Sequence, residues 1–117
     1  MPATFTKTDR LLHRPEFEAV LDERKNVSDR RLMLSWRRNE LGHARLGLVV
    51  SKAFGNAVKR NQFKRRIRDI FRRHRPETGV DIVVLPSRQG EAKTADHAAM
   101  LESWTALIER LLKKLAA

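Results

Sequence analysis

Residues 57–75 read AVKRNQFKRRIRDIFRRHR, and the interpretation of the whole chain starts from them. Asn56 precedes this stretch and is a good helix N-cap, while Pro76 and Gly79 follow it, so we predict one long helix that ends near His74. At 100° per residue, an apolar sector about 100° wide should face the core. The residues of that sector are Phe63, Ile67, Ile70, Phe71 and His74.

A second sector of similar width on this helix is polar and mostly basic, and it holds Asn61, Lys64, Arg65, Arg68, Arg72 and Arg75. Residues 57–75 contain nine Lys and Arg against one acid, Asp69, so they carry +8 of the chain's formal net charge of +11. Like charges four residues apart destabilise an isolated helix, whereas guanidinium groups match phosphate oxygens in pairs. The pattern is therefore typical of a helix that binds a nucleic-acid backbone.

The segments around this helix predict a small sheet. Alternating or continuous apolar residues indicate strands over 31–38, 45–51 and 80–85, with a brief strand near Val27. Residues 39–43 have the composition of a hairpin turn between the strands on either side. In the strand over 45–51, Gly47, Val49 and Ser51 form a small-residue face that another group can approach closely.

Helices are also predicted near both ends of the chain. The first runs over about 14–24, with Phe17, Val20 and Leu21 on one face. The last begins at Thr94 or Asp96 and has an apolar stripe of Leu101, Trp104, Ile108, Leu111 and Leu115. Residues 1–9 are predicted to be a flexible arm. The order α-β-β-β-α-β-α predicts a single α+β domain, a two-layer sandwich of one sheet and its helices.

Composition narrows the function. The chain has 117 residues, 25 Lys and Arg, 14 Asp and Glu and no cysteine. The missing cysteines exclude disulfide scaffolds, thiolate zinc sites and cysteine catalysis, and the basic excess implies a polyanionic partner. We expect no signal peptide, no membrane association and a cytoplasmic location. No nucleophile–base set, glycine-rich phosphate loop or metal-ligand cluster is visible, so no catalytic or metal-binding residue is predicted in this chain.

Three short motifs make the chain recognisable: Val50-Ser51-Lys52, Gly55-Asn56-Ala57-Val58 and Arg60-Asn61-x-x-Lys64-Arg65-x-x-Arg68. Together they closely resemble the protein subunit of bacterial ribonuclease P, and the resemblance covers nearly the whole chain. It implies a mixed sheet of about four strands with a left-handed βαβ crossover. It also implies two partners, the catalytic ribonuclease P RNA and precursor tRNA, whose 5′ leader the holoenzyme removes by metal-dependent phosphodiester hydrolysis.

The resemblance also implies residue roles. The expected RNA-subunit contacts are Arg60, Asn61, Lys64, Arg65 and Arg68, on a helix capped and positioned by Asn56. The expected leader-binding residues in a cleft beside the first helix are Phe17, Leu21, Ser51, Lys52 and Arg88. Two departures from the family pattern lie near that cleft: Ser35 stands where an aromatic residue is frequent, and Pro86-Ser87-Arg88 replaces a basic pair.

The same resemblance places the catalytic centre in the RNA, and magnesium ions in the holoenzyme are expected to be held mainly by RNA phosphates. We expect the protein to be a monomer with no obligatory protein partner and no tightly bound metal. Two alternatives stay open: a structural RNA-binding protein of ribosomal type, and a nuclease active without RNA. For Phe17, packing in the core is the alternative to stacking on the leader.

Overall fold

The computed structural model describes residues 5–117, which form one four-stranded sheet and three α-helices. Their order matches the predicted α-β-β-β-α-β-α. The elements are α1 (Arg14–Asp22), β1 (Asn26–Ser28), β2 (Leu32–Arg38), β3 (Arg45–Leu48), α2 (Ala57–His74), β4 (Val80–Pro86) and α3 (His97–Ala116). Single 3-10 turns occupy Lys7–Asp9, Lys52–Phe54 and Glu91–Lys93.

The strand order is β1-β2-β4-β3, so the predicted hairpin between β2 and β3 is wrong. Strand β4 lies between them, antiparallel to β2 and parallel to β3. Its residues 80–84 are buried throughout, which suits a central strand covered on both faces. The turn over 39–43 instead crosses the start of β4, where the Asn39 N–H donates to the Gly79 carbonyl at 3.0 Å.

The fold class is confirmed, including a mixed sheet of four strands. Helix α2 connects the adjacent parallel strands β3 and β4, and the left hand of that crossover stays a prediction. One face of the sheet packs with α2 and α3 in a core that includes Leu34, Ile82, Ile67 and Trp104. The short helix α1 covers part of the other face, where Val20 and Phe17 meet Val83.

The apolar sector of α2 is confirmed except at its last member. Phe63, Ile67, Ile70 and Phe71 are buried, whereas the side chain of His74 is exposed. The sector argument fails there because the helix ends at His74. The core interaction at that position comes from its backbone, since the His74 carbonyl accepts a hydrogen bond from Trp104 Nε1 at 3.0 Å.

The N-terminal segment differs from the predicted arm. The Phe5 ring meets Phe71 edge-on, with the ring centroids 5.7 Å apart. Asp9 is buried and its Oδ1 lies 3.1 Å from Nη1 of Arg75, at the end of α2. Phe5 and Asp9 therefore join the segment to the body of the domain through long-range contacts, while residues 6–8 between them are exposed. The first four residues of the predicted arm lie outside the described residues.

Candidate nucleic-acid interface

The basic helix α2 has a well-defined start. Asn56 Oδ1 accepts a hydrogen bond from the backbone N–H of Lys59 at 3.0 Å, so the predicted N-cap is confirmed. One turn later, Nη1 of Arg60 donates to the carbonyl oxygen of Gly55 at 2.7 Å. These two bonds join the preceding loop to the first turn and orient the side chains that follow.

The cations at the end of α2 are paired within the protein. Arg72 Nη2 and Arg73 Nε lie 2.6 and 3.3 Å from the same oxygen, Oδ1 of Asp69. Arg75 pairs with Asp9, and its guanidinium group also lies 4.9 Å from the centroid of the Phe71 ring. Two acids therefore neutralise much of the positive charge in the last turn and a half of the helix.

The cations in the middle of α2 are different. Lys64, Arg65 and Arg68 have no hydrogen-bonded or ion-paired side-chain partner among residues 5–117. Arg65 and Arg68 are exposed, Lys64 is half-buried, and Asn61 is exposed on the same sector. Arg66 is turned away, since its Nη1 donates to the Ala95 carbonyl at 2.6 Å. The three unpaired cations present a concentrated positive field to solvent.

A groove of about 140 Å³ connects this basic surface to α1. Its lining includes Lys64 and Arg68 of α2 together with Leu12, Phe17 and Gly47. The structure therefore brings one predicted leader-binding residue, Phe17, to the same groove as two predicted RNA-subunit contacts. Phe17 is half-buried, so its ring packs on the sheet while part of it stays accessible.

The other predicted leader-binding residues do not line this groove. Leu21 is 37% exposed on α1, although it shares one helical face with the buried Val20. Lys52 and Arg88 are exposed just beyond the carboxyl ends of β3 and β4. Strands β3 and β4 are parallel neighbours, with Leu48 opposite Val84. Lys52 and Arg88, which follow these strands, therefore lie at the same end of the sheet. Ser51 is exposed beside Lys52.

An ionic network holds α1 against the sheet. Arg45 of β3 donates from Nε and Nη2 to the two carboxylate oxygens of Asp81, both at 2.8 Å, and from Nη1 to Oε2 of Glu16 at 2.8 Å. The other oxygen of Glu16 accepts the backbone N–H groups of Leu12 and His13, both at 2.9 Å. The network fixes the start of α1, and hence Phe17, relative to β3.

The pKa values within this network follow from its hydrogen bonds. The backbone N–H groups of His13 and Leu12, together with Arg45, lower the pKa of Glu16 below its ordinary value. The hydrogen bond to Asp81 raises the pKa of Arg45 despite its partial burial. The ionised forms of Glu16 and Arg45 are therefore favoured by their neighbours in the network.

Sequence reasoning missed the residues of this network as a positioning device. The only visible signal is Asp81, a charged residue that interrupts an apolar strand. A carboxylate at such a position needs a cationic partner when it is buried, and Asp81 is 3% exposed. Periodicity cannot say that the partner is Arg45, since the two residues meet only through strand pairing.

Neither a cluster of metal ligands nor a membrane-spanning helix occurs in the part of the chain that the structure describes. No three His, Asp or Glu side chains in residues 5–117 are grouped so that they could hold a metal ion. None of the helices in that range is long and apolar enough to span a membrane.

Comparison with known proteins agrees with this architecture. A family model described as Ribonuclease P matches residues 5–112. The ribonuclease P protein component of Thermotoga maritima is 36% identical over 117 residues, which cover 98% of this chain and 96% of that protein. The corresponding protein of Stutzerimonas stutzeri is 39% identical over 114 residues, covering 95% of this chain and 86% of that protein.

Solved structures are similar as well. The RNase P protein of Staphylococcus aureus superposes with a TM-score of 0.80 at 30% identity, covering 90% of this chain and 96% of that one. The Thermotoga maritima protein, solved in complex with 1-(4-fluorophenyl)-2-thiourea, gives a TM-score of 0.78 at 36% identity, with coverage of 86% and 98%. The chain therefore belongs to the ribonuclease P protein component family.

Proposed function

We propose that this chain is the protein subunit of a ribonucleoprotein ribonuclease P, which removes the 5′ leader from precursor tRNA. The observation that carries the proposal is the shared groove, which is lined both by unpaired Lys64 and Arg68 and by the half-buried Phe17. Unpaired cations suit phosphates, and an aromatic ring beside them suits an unstacked base. A folded RNA and a single strand can therefore be held side by side.

The RNA subunit is proposed to bind the middle of α2. Arg65 and Arg68 are exposed and unpaired, so they can reach phosphate oxygens without breaking an internal contact. Asn61 supplies a neutral donor and acceptor on the same sector, and Arg60 keeps nitrogens beyond the one bonded to Gly55. Asn56 acts through the helix, because its cap sets the position of these side chains.

The 5′ leader is proposed to cross the sheet face beside α1. Phe17 would stack on a base, while Lys52 and Arg88, at one end of the sheet, would hold backbone phosphates. Ser51 adds a hydroxyl next to Lys52, and exposed Leu21 extends the apolar side of the path. Binding of the leader would let the holoenzyme distinguish precursor tRNA from mature tRNA, since only the precursor has a leader.

The chemistry is proposed to belong to the RNA. Phosphodiester hydrolysis needs magnesium ions, which RNA phosphates would hold, while this chain supplies cations that reduce repulsion between RNA segments. No protein side chain is assigned a proton-transfer or nucleophilic role. The protein is proposed to act as a monomer, with RNA as its partner.

A three-way cleavage assay tests the proposed function. A precursor tRNA is incubated at low magnesium concentration with a bacterial ribonuclease P RNA alone, with this protein alone, and with both. We expect efficient cleavage at the mature 5′ end only in the mixture. No gain over the RNA alone would favour a structural RNA-binding protein of ribosomal type, and cleavage by the protein alone would favour a protein nuclease.

Two variants of Phe17 distinguish stacking of its ring on the leader from packing of its side chain in the core. Phe17→Leu keeps an apolar side chain on the sheet but removes the aromatic face, whereas Phe17→Ala removes both. We expect Phe17→Leu to reduce the preference of the holoenzyme for precursor over mature tRNA with a small change in unfolding midpoint. A variant that loses only thermal stability would assign Phe17 to the core alone.

A further inference from the structure

Asp69 is the only acid among residues 57–74, and it lies in the middle of their positive charge. Its Oδ1 atom accepts hydrogen bonds from Arg72 and Arg73, and its Oδ2 atom is 3.8 Å from Nε2 of His97 on α3. No position in the core requires this carboxylate, since its side chain is 29% exposed. The side chains that its carboxylate contacts, Arg72, Arg73 and His97, are all basic residues.

The position of Arg72 shows how Asp69 shortens the row of unpaired cations on α2. Arg72 lies one turn beyond Arg68, four residues along the helix, on the same basic sector as Lys64 and Arg65. Without an acid, the row of free cations would continue through the last turn of α2. In the structure Nη2 of Arg72 lies 2.6 Å from Oδ1 of Asp69, so the row of unpaired cations ends at Arg68.

We propose that Asp69 determines specificity by ending the RNA-binding face of α2 at Arg68. This inference rests on the proposed function, since it concerns how α2 selects its RNA. The carboxylate removes Arg72 and Arg73 from phosphate binding, so only three cations on one sector contact the RNA backbone. A short footprint leaves fewer ways to place the helix along an arbitrary duplex.

Asp69 keeps phosphates away from Arg72 and Arg73 more by repelling them than by the strength of its own ion pairs. Arg72 and Arg73 are 40% and 61% exposed, so water screens their attraction to Asp69 and a phosphate could compete for them. The negative charge of Asp69 nevertheless remains beside both arginines and repels any phosphate that approaches. The hydrogen bond from Arg72 lowers the pKa of Asp69, which keeps the carboxylate ionised in neutral buffer.

Affinity for RNA in general rises with the number of phosphates that a protein neutralises, whatever the sequence or fold of the RNA. An extended row of cations would therefore raise binding to every duplex, including those without the shape of the intended partner. An acid at the end of the row suppresses these alternatives at the expense of some total affinity.

The test measures binding of wild-type protein and Asp69→Asn to a bacterial ribonuclease P RNA and to a plain RNA duplex over a range of salt concentrations. We expect Asp69→Asn to bind the duplex more tightly, with a log–log salt slope steeper by about one unit for each arginine released, two at most. The affinity ratio of ribonuclease P RNA to duplex should fall severalfold. Glu109→Gln, which removes an acid paired with Lys113 on α3, controls for net charge.

A double-mutant cycle with Arg72→Ala identifies the mechanism. Arg72→Ala should hardly change duplex binding in the wild-type background but should remove much of the gain in the Asp69→Asn background. Unfolding midpoints of all variants show whether the fold is kept. Salt slopes of Asp69→Asn equal to those of Glu109→Gln would overturn the inference.

The test distinguishes this inference from the proposed function. A wild-type protein that binds both RNAs equally well would defeat the proposed function and the specificity role with it. A wild-type preference for ribonuclease P RNA that Asp69→Asn leaves unchanged would defeat the inference alone.

Discussion

The ring of Phe17 lies so close to the backbone of Gly47 that a Cβ atom at residue 47 would stand 2.6 Å from Phe17 Cε1. Of the predicted small-residue face, Gly47 is therefore covered by the protein itself, whereas Val49 and Ser51 lie beyond the end of β3 and are exposed. The same ring lines the groove with Lys64 and Arg68. Gly47 thus sets the depth of the ring and the shape of the groove beside α2.

Gly47→Ala should push the Phe17 ring outward. The added methyl group overpacks the contact between β3 and α1, which we expect to lower the free energy of unfolding by roughly 1–3 kcal/mol. The displaced ring should also weaken binding of leader-bearing precursor tRNA. Chemical denaturation and binding assays check the two effects. Combining Gly47→Ala with Phe17→Leu should cost less than the sum of the single changes, and strict additivity would contradict the contact.

Arg65→Ala and Arg68→Ala should each weaken binding to ribonuclease P RNA without changing the unfolding midpoint. Neither side chain has a partner among the described residues, so its removal leaves nothing unpaired. Each lost phosphate contact should flatten the log–log salt dependence by about one unit at most. Arg30→Ala, which removes a cation that lies 3.7 Å from Glu91 and outside α2, is the matched control. An unchanged RNA affinity would reject this face of the helix.

Arg45→Ala should be strongly destabilising, because it leaves the Asp81 carboxylate buried without its bidentate partner. The expected loss in free energy of unfolding is about 3 kcal/mol. Since Arg45 also bonds Glu16, the start of α1 should loosen and leader binding should fall with stability. In a cycle with Asp81→Ala, the double variant should be more stable than additivity predicts. Independent effects at the two positions would show that the pair is not coupled.

Acid should destabilise the fold through its carboxylates. The pKa of Glu16 is lowered in the folded state from its ordinary value of 4.5, so below that pH the unfolded chain binds more protons than the folded one. The stabilisation is complete above pH 4.5 and is lost as the pH falls through the folded pKa. Denaturation midpoints measured from pH 7 to pH 3 should therefore fall at the acid end. Glu16→Gln should make that fall shallower, and an identical profile would exclude Glu16 as a contributor.

Local chemistry was enough to predict the elements of the fold. Asn56 as a cap and the apolar spacing of Phe63, Ile67 and Ile70 involve residues within a few turns of one another, so they are visible in the chain itself. The basic sector with Lys64, Arg65 and Arg68 was predicted for the same reason, but not that these three cations are unpaired while Arg72 and Arg75 pair with acids. His74 was placed on the core-facing sector but is exposed, because helical periodicity does not tell how much of a helix end is covered.

The order of helices and strands, the concentration of charge on α2 and the family of the chain can be read from the amino-acid sequence, since all three depend on residues close together in the chain. The place of β4 between β2 and β3, and the contact of Phe17 with Gly47, become visible only in the folded structure. The ion pair between Asp9 and Arg75 likewise forms only in the folded protein, although Arg75 belongs to the same helical sector as Arg68. These pairings join residues far apart in sequence, and the free energy of burying and neutralising them exists only once the sheet and α2 have come together.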